Sequence, residues 1–272
     1  MRINQNIAAF NAYRNLASTN GMLGKSLEKL SSGYRINRAA DDAAGLVISQ
    51  SLRAQVSGLK VATRNAQDGI SVVQTAEGAL NEVHSMLNRM RDLAVQAANT
   101  GSTDATAAGA AQAEITALAA EITRVSQQTK FGSNTLLDGA FVKEFQVGAN
   151  AGEKITISLG TSLNASALGV SGLGVASGGS ASDTITAIDT AIQSVSTARA
   201  TMGAAQNRFE SVIANLQVAT ENLSASESRI RDTDMASEMV SFTRHQILLQ
   251  AGTAMLGQAN QVPQSILRLI QS

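Results

Sequence analysis

The sequence has no cysteine, no tryptophan, a single proline and only 3 % aromatic residues. Without cysteine there are no disulfides, no thiol nucleophile and no thiolate metal site. Aromatic side chains normally supply a large share of a globular core. Here the core has to come from Ala, Leu, Ile and Val, and abundant small residues suit helices packed closely along their length. The formal net charge is zero, which excludes a bulk attraction to nucleic acid or anionic lipid. No uncharged apolar stretch approaches the length needed to span a bilayer, so no membrane insertion is expected. Met1–Phe10 carries one charge, Arg2, and no apolar core. It does not resemble a cleaved secretory signal, and an exported protein with this start would leave by a route that does not read one.

What the chain does have is periodicity. Ile185, Ile188, Ile192, Val195, Met202, Phe209, Ile213, Leu216, Leu223 and Ile230 fall on one alternating three-four spacing, with Arg199, Gln206, Thr220 and Glu227 in the remaining slots. A proline-free stripe of this length predicts one continuous helix of the coiled-coil kind, roughly 70 Å long at about 1.5 Å per residue. A second long helix is predicted from Asp41-Asp42-Ala43-Ala44, where carboxylates suit a helix start, to about Asn99. Leu52, Val56, Leu59, Ala66, Ile70, Val73 and Leu80 hold its register, and Val83, Leu87 and Met90 continue it after a one-residue shift.

Between them, Thr100 to about Gly109 reads as a small polar turn. A shorter helix with Ile115, Leu118, Ile122 and Val125 follows. Phe141–Val147 and Lys154–Leu159 read as two strands around a Gly148–Gly152 hairpin loop. The Gly/Ser-rich 161–182 stretch reads as irregular. Ahead of the long helices, Asn4 to about Leu30 is weakly amphipathic and ends in a hinge near Gly33. At the other end, Met235–Ser272 is helix-forming but too apolar to stand alone in water, and Pro263 is expected to kink or end it. The ends also differ in charge. Met1–Ala40 is mostly basic and Glu221–Glu238 mostly acidic, so the two ends either pair or present two solvated faces.

Catalytic chemistry finds no foothold. His84 and His245 lack metal-ligand spacing to carboxylates and read as structural or surface residues. Gly169-Val-Ser-Gly-Leu-Gly follows no strong strand and opens no helix, so it fails as a dinucleotide loop. The paired inward carboxylates with Glu-x-x-His spacing of a bundle enzyme do not occur. No enzyme activity, cofactor or metal is expected.

Leu30-Ser-Ser-Gly-Tyr-Arg-Ile-Asn37 and Asp41-Asp-Ala-Ala-Gly-Leu46, followed in order by Asn65–Leu80, Thr129–Gly139, Phe145–Asn150, Glu221–Met239 and Ala254–Leu267, make a set of long segments. Together they resemble the bacterial flagellins, the first pair being similar to that family's N-terminal signature. Only a short segment stands between hairpin and return helix, so the outer variable domains of longer members have no counterpart.

The expected fold is mainly α: a long antiparallel coiled-coil helical rod with a small β-hairpin region, plus a terminal helical domain built from both chain ends. Its boundaries would be 1–43 and 231–272 for the terminal domain and 44–230 for the rod, with the hairpin near 141–159 and a tip loop at 160–182. The resemblance implies an extracellular subunit polymerising into the flagellar filament after type III export. Its implied partners are further copies of itself, an export chaperone, and filament-cap and hook-junction proteins. A hook–filament junction protein is the alternative within the class; a secreted type III translocator would need long apolar segments. Candidate polymerisation contacts are Ile3, Ile7, Phe10, Leu16 and Leu23 at one end, and Phe242, Leu248, Leu249, Met255, Leu256, Leu267 and Ile270 at the other. The resemblance also points to Arg89, Leu93 and Glu114 as contacts for a host Toll-like flagellin receptor.

Overall fold

The computed structural model of the chain describes residues 5–99, 104–158, 160, 162–175 and 178–271, the side chains of 178–180 and 263–271 excepted. Five helices dominate: α1 (Ile7–Ser32), α2 (Ala43–Ala98), α3 (Ala105–Gln128), α4 (Gly178–Arg231) and α5 (Met235–Gln271). Two small antiparallel hairpins lie between α3 and α4: β1 (Lys130–Phe131) with β2 (Asn134–Thr135), and β3 (Val142–Gln146) with β4 (Lys154–Ser158). The chain divides into two compact units. One is made of both chain ends, Met1–Gln55 with Asn222–Ser272; the other is Val56–Glu221.

The inner unit owns the hydrophobic core. Phe209, Leu80, Leu87, Met90, Ile115, Ile122 and Ile188 are all fully buried there. α2 and α4 run antiparallel within it: as the position on α4 falls from Phe209 to Arg199 to Asp189, its neighbour on α2 rises from Gly69 to Glu77 to Arg91. The heptad reading of α4 is correct in its central slots, where Ile188, Val195, Met202, Phe209 and Leu216 are buried. Phe209 also meets the hairpin, edge-on to Phe145 with ring centroids 5.6 Å apart. Asn65 on α2 donates to the Gln146 carbonyl at 3.0 Å, fixing the β3 end against the helix.

Local chemistry explains the boundaries that differ from expectation. α3 begins at Ala105, inside the segment read as a polar turn. The Asp104 carboxylate caps it, accepting the Ala107 amide at 2.7 Å, and the Ala-rich stretch that follows has the highest intrinsic helix propensity. α4 starts at Gly178, inside the stretch read as irregular. Its first two turns are anchored by burial of Ala181 and Thr184, and the Thr184 hydroxyl donates to the Gly174 carbonyl at 2.9 Å. The irregular segment is held rather than loose: Gln112 of α3 donates to Leu173 O at 2.7 Å and accepts from Val175 N at 2.6 Å. The β1–β2 hairpin escaped the sequence reading because two-residue strands leave no period. α5 continues past Pro263 to Gln271, so the proline does not end the helix.

Candidate polymerisation surface

The terminal unit is built around one antiparallel pair, α1 with α5. As the position on α5 rises from Glu238 to Gly252 to Ala259, its partner on α1 falls from Lys29 to Leu16 to Asn6. The more buried residues of each helix follow an alternating three-four rhythm. On α1 the repeating positions are Ala9, Ala12, Leu16, Thr19, Leu23, Ser26 and Leu30, with Glu28 and Lys29 beside the last; on α5 they are Glu238, Phe242, His245, Leu249, Gly252, Leu256 and Ala259, with Ser241 beside Phe242. That spacing keeps one stripe of each helix turned to its partner. Ala, Ser, Thr and Gly in the stripe let the backbones approach closely: a Cβ on Gly252 would lie 3.0 Å from Leu16 Cδ1. One ion pair joins the basic and acidic ends within the chain: Lys29 lies 3.8 Å from the largely buried Glu238 carboxylate.

The turn joining α1 to α2 is stitched to the junction of α4 and α5. Gly33 takes the left-handed conformation, φ 75°, that ends α1, a backbone state open to glycine at little cost. Beyond it the chain forms a single antiparallel bridge, Tyr34 to Asp232. Arg35 N donates to Arg231 O at 2.7 Å and Thr233 N to Gly33 O at 2.9 Å. The Arg231 guanidinium lies 4.4 Å from the Tyr34 ring centroid, a cation–π contact. Ile36 is buried beneath the turn. Asp41 and Asp42 serve as turn and helix-start carboxylates. Asp42 accepts the Gly45 amide at 2.8 Å, and Asp41 accepts those of Arg38 and Asn37 at 3.0 and 3.3 Å. The Arg38 amide, helped by that of Asn37, holds the Asp41 carboxyl below its ordinary value. The signature around residues 30–46 thus encodes a hydrogen-bonded knot.

This unit buries little. Among its described residues only Ile36 and Ala259 are buried hydrophobics, yet it holds fourteen of the nineteen large apolar side chains left exposed in the described chain. Two of them, Val47 and Ile48, are on α2; the other twelve are on α1 and α5, where most form a second stripe away from the pairing stripe. On α1 it starts with Ile7, Phe10 and Tyr13; on α5 it runs through Met239 and Val240, Ile247 and Leu248, Met255 and Val262. Phe10 is 71 % exposed and Met255 64 %. A face of this extent on a two-helix layer marks an interaction surface.

The predicted contact residues separate into two groups. Ile7, Phe10, Leu248 and Met255 lie on the outward stripe, whereas Leu16, Leu23, Phe242, Leu249 and Leu256 are half-buried on the pairing stripe. Ile3, and the side chains of Leu267 and Ile270, lie outside the described residues. The candidate contacts did not include the outward Tyr13, Met239, Val240 and Ile247, whose exposure is decided by how α1 and α5 pack. In the inner unit, Arg89 is exposed and its guanidinium donates to the Glu114 carboxylate at 2.7 Å. Leu93, one turn further along α2, is 4 % exposed and belongs to the core. Among the described residues no His/Asp/Glu group could hold a metal and no helix is long and apolar enough to cross a membrane.

Comparison with known proteins gives this architecture a family. Residues 3–142 match the bacterial flagellin N-terminal helical region and residues 185–270 the bacterial flagellin C-terminal helical region. A flagellin of Bacillus subtilis is 47 % identical, and one of Halalkalibacterium halodurans 50 % identical, each aligned over the whole of both chains. The crystal structure of Bacillus cereus flagellin superposes with a TM-score of 0.51 at 32 % identity, covering 56 % of this chain and 88 % of that one.

Proposed function

The chain belongs to the bacterial flagellin family, and from that premise we propose that the outward apolar stripe of its α1–α5 pair is the surface through which subunits join. The protein is an extracellular structural subunit of the flagellar filament. The observation that carries the site assignment is the imbalance of burial: the inner unit has a complete core, while the terminal unit leaves its large apolar side chains in water. Fully burying one such side chain is worth about 1.5–3 kcal/mol, so even partial burial of this stripe in a polymer supplies on the order of 10 kcal/mol before the cost of association. The segments 1–43 and 231–272 then act as the polymerising domain and 44–230 as the rod domain.

Substitutions on the outward stripe test this reading, because they leave the pairing stripe intact. Phe10→Glu and Leu248→Glu chains are expected to keep monomer helicity by circular dichroism and to form no filaments by electron microscopy. Filaments of normal yield from both would remove the assignment.

Three further roles rest on family likeness. The apolar C-terminal half of α5 is the docking segment for an export chaperone. The filament ends meet cap and hook-junction proteins. The exposed Arg89–Glu114 pair, with Leu93 supporting it from within the core, is a contact for a host Toll-like flagellin receptor.

A further inference from the structure

We propose that Asn6 sets the register of the α1–α5 pair by supplying the hydrogen bond that Pro263 takes away from α5. In an uninterrupted α-helix the carbonyl of residue 259 accepts the amide of residue 263. Residue 263 is proline, which has no N–H, yet α5 continues through it to Gln271. The Ala259 carbonyl is therefore left without its intrahelical donor. Ala259 is 9 % exposed, the most buried position on α5 among the described residues, so water is a poor substitute. A buried backbone acceptor left unpaired is costly.

The missing donor comes from the other end of the chain. Asn6 Nδ2 donates to Ala259 O at 2.8 Å across a sequence separation of 253 residues. The other end of the same amide is also occupied: Asn6 Oδ1 accepts the Ala9 amide at 3.1 Å and caps α1. One side chain satisfies an orphan donor at the start of α1 and an orphan acceptor in α5. Aspartate and serine both cap helices well. Aspartate has no proton to give, and the serine hydroxyl is too short to reach across. Of the usual capping residues, asparagine alone carries an acceptor and a donor at the required span.

Register needs such a device here. The pairing stripe includes small residues, among them Ala9, Ala12, Ser26 and Gly252, which have little side-chain shape with which to fix an offset. A slip of one helical turn, about 5.4 Å, would separate Asn6 from Ala259 and orphan the carbonyl. A single polar contact in an otherwise permissive seam specifies register in the same way in coiled coils. In the filament, the register of the pair sets the relative height of the two outward stripes, so a slipped pair presents the wrong surface.

A double-mutant cycle in the full-length chain tests the assignment. Asn6→Ser and Asn6→Asp keep the α1 cap and lose the donor; Pro263→Ala restores the amide that Ala259 would otherwise accept. The critical concentration for filament assembly is read by sedimentation, and the thermal loss of far-UV helicity is measured on the same chains. Asn6→Ser should raise the critical concentration about tenfold in the Pro263 background, and less than about twofold in the Pro263→Ala background. If Pro263→Ala prevents assembly, the same coupling is read in the helicity transition. Asn6→Ser or Asn6→Asp behaving like the parent chain, or costing the same factor in both backgrounds, would overturn the proposal.

Discussion

Two glycines on one helix should respond to the same substitution with opposite signs. Gly69 and Gly78 both lie on α2 within the inner unit. A Cβ added at Gly69 would lie 2.6 Å from Phe209 Cζ and 3.0 Å from both ring Cε atoms, whereas at Gly78 nothing comes within 4 Å. Carbon atoms settle at about 3.5–4.0 Å, so Gly69→Ala requires the Phe209 ring tip to retreat by about 1 Å. The ring has little room, being fully buried and set edge-on against Phe145. Alanine gains about 1 kcal/mol over glycine in a helix interior, and overpacking a close-packed core costs about 1–3 kcal/mol. Gly69→Ala should therefore lose up to about 2 kcal/mol net, while Gly78→Ala keeps the propensity gain of about 1 kcal/mol. In a unit of this size 1 kcal/mol moves Tm by about 2–4 °C, so the two variants should melt on opposite sides of the parent chain. Phe209→Leu introduced beside Gly69→Ala should recover part of the loss, because the shorter side chain vacates the ring tip. A Gly69→Ala chain melting at or above Gly78→Ala would refute the reasoning.

Three other outcomes follow from the surface chemistry. Asp41 has a depressed pKa in the folded chain, so its contribution is complete above the unfolded value of about 3.9 and fades as pH falls through and below it. Asp41→Asn should speed exchange of the Asn37 and Arg38 amides at neutral pH, and the difference should close as the pH falls through the lowered folded-state pKa; a gap that does not narrow on acidification would contradict this. Met22, Met235, Met239 and Met255 are exposed in the terminal unit, while Met90 and Met202 are buried in the inner one. Peroxide transfers one oxygen to a thioether, giving a polar sulfoxide and water. Peptide mass spectrometry should find Met239 and Met255, on the outward stripe, oxidised in monomers, which then fail to assemble, and spared in filaments; equal oxidation of these two in both forms would count against the outward stripe as the interface. Arg89→Ala should weaken monomer binding to the flagellin receptor by about tenfold or more, whereas Leu93→Ala should act on stability, since Leu93 is core; unchanged affinity for Arg89→Ala would remove that surface from the receptor reading.

The sequence by itself determined whatever depends on a repeating period or on a residue with one local use. The seam from Ile185 to Ile230 reads as a long helix because each apolar residue repeats the same angular position. Gly33 marks the end of α1 because few other residues adopt φ 75° cheaply, and the β3–β4 hairpin shows in its alternation and its glycine-rich loop. Tertiary structure decided everything that depends on which face meets what. Period alone could not say that α5 carries two apolar stripes with different duties, because Leu249 and Leu248 differ only by a rotation about the helix axis. Packing sends Leu93 into the core and leaves Arg89 in solvent, although the family resemblance groups the two as contacts. It turned the Gly/Ser-rich start of α4 helical by burying Ala181 and Thr184. It carried α5 through Pro263, against the local rule, because the free energy of a proline in a helix depends on what becomes of the stranded carbonyl. That carbonyl finds its donor on Asn6, 253 residues away along the chain, a partnership that only folding creates.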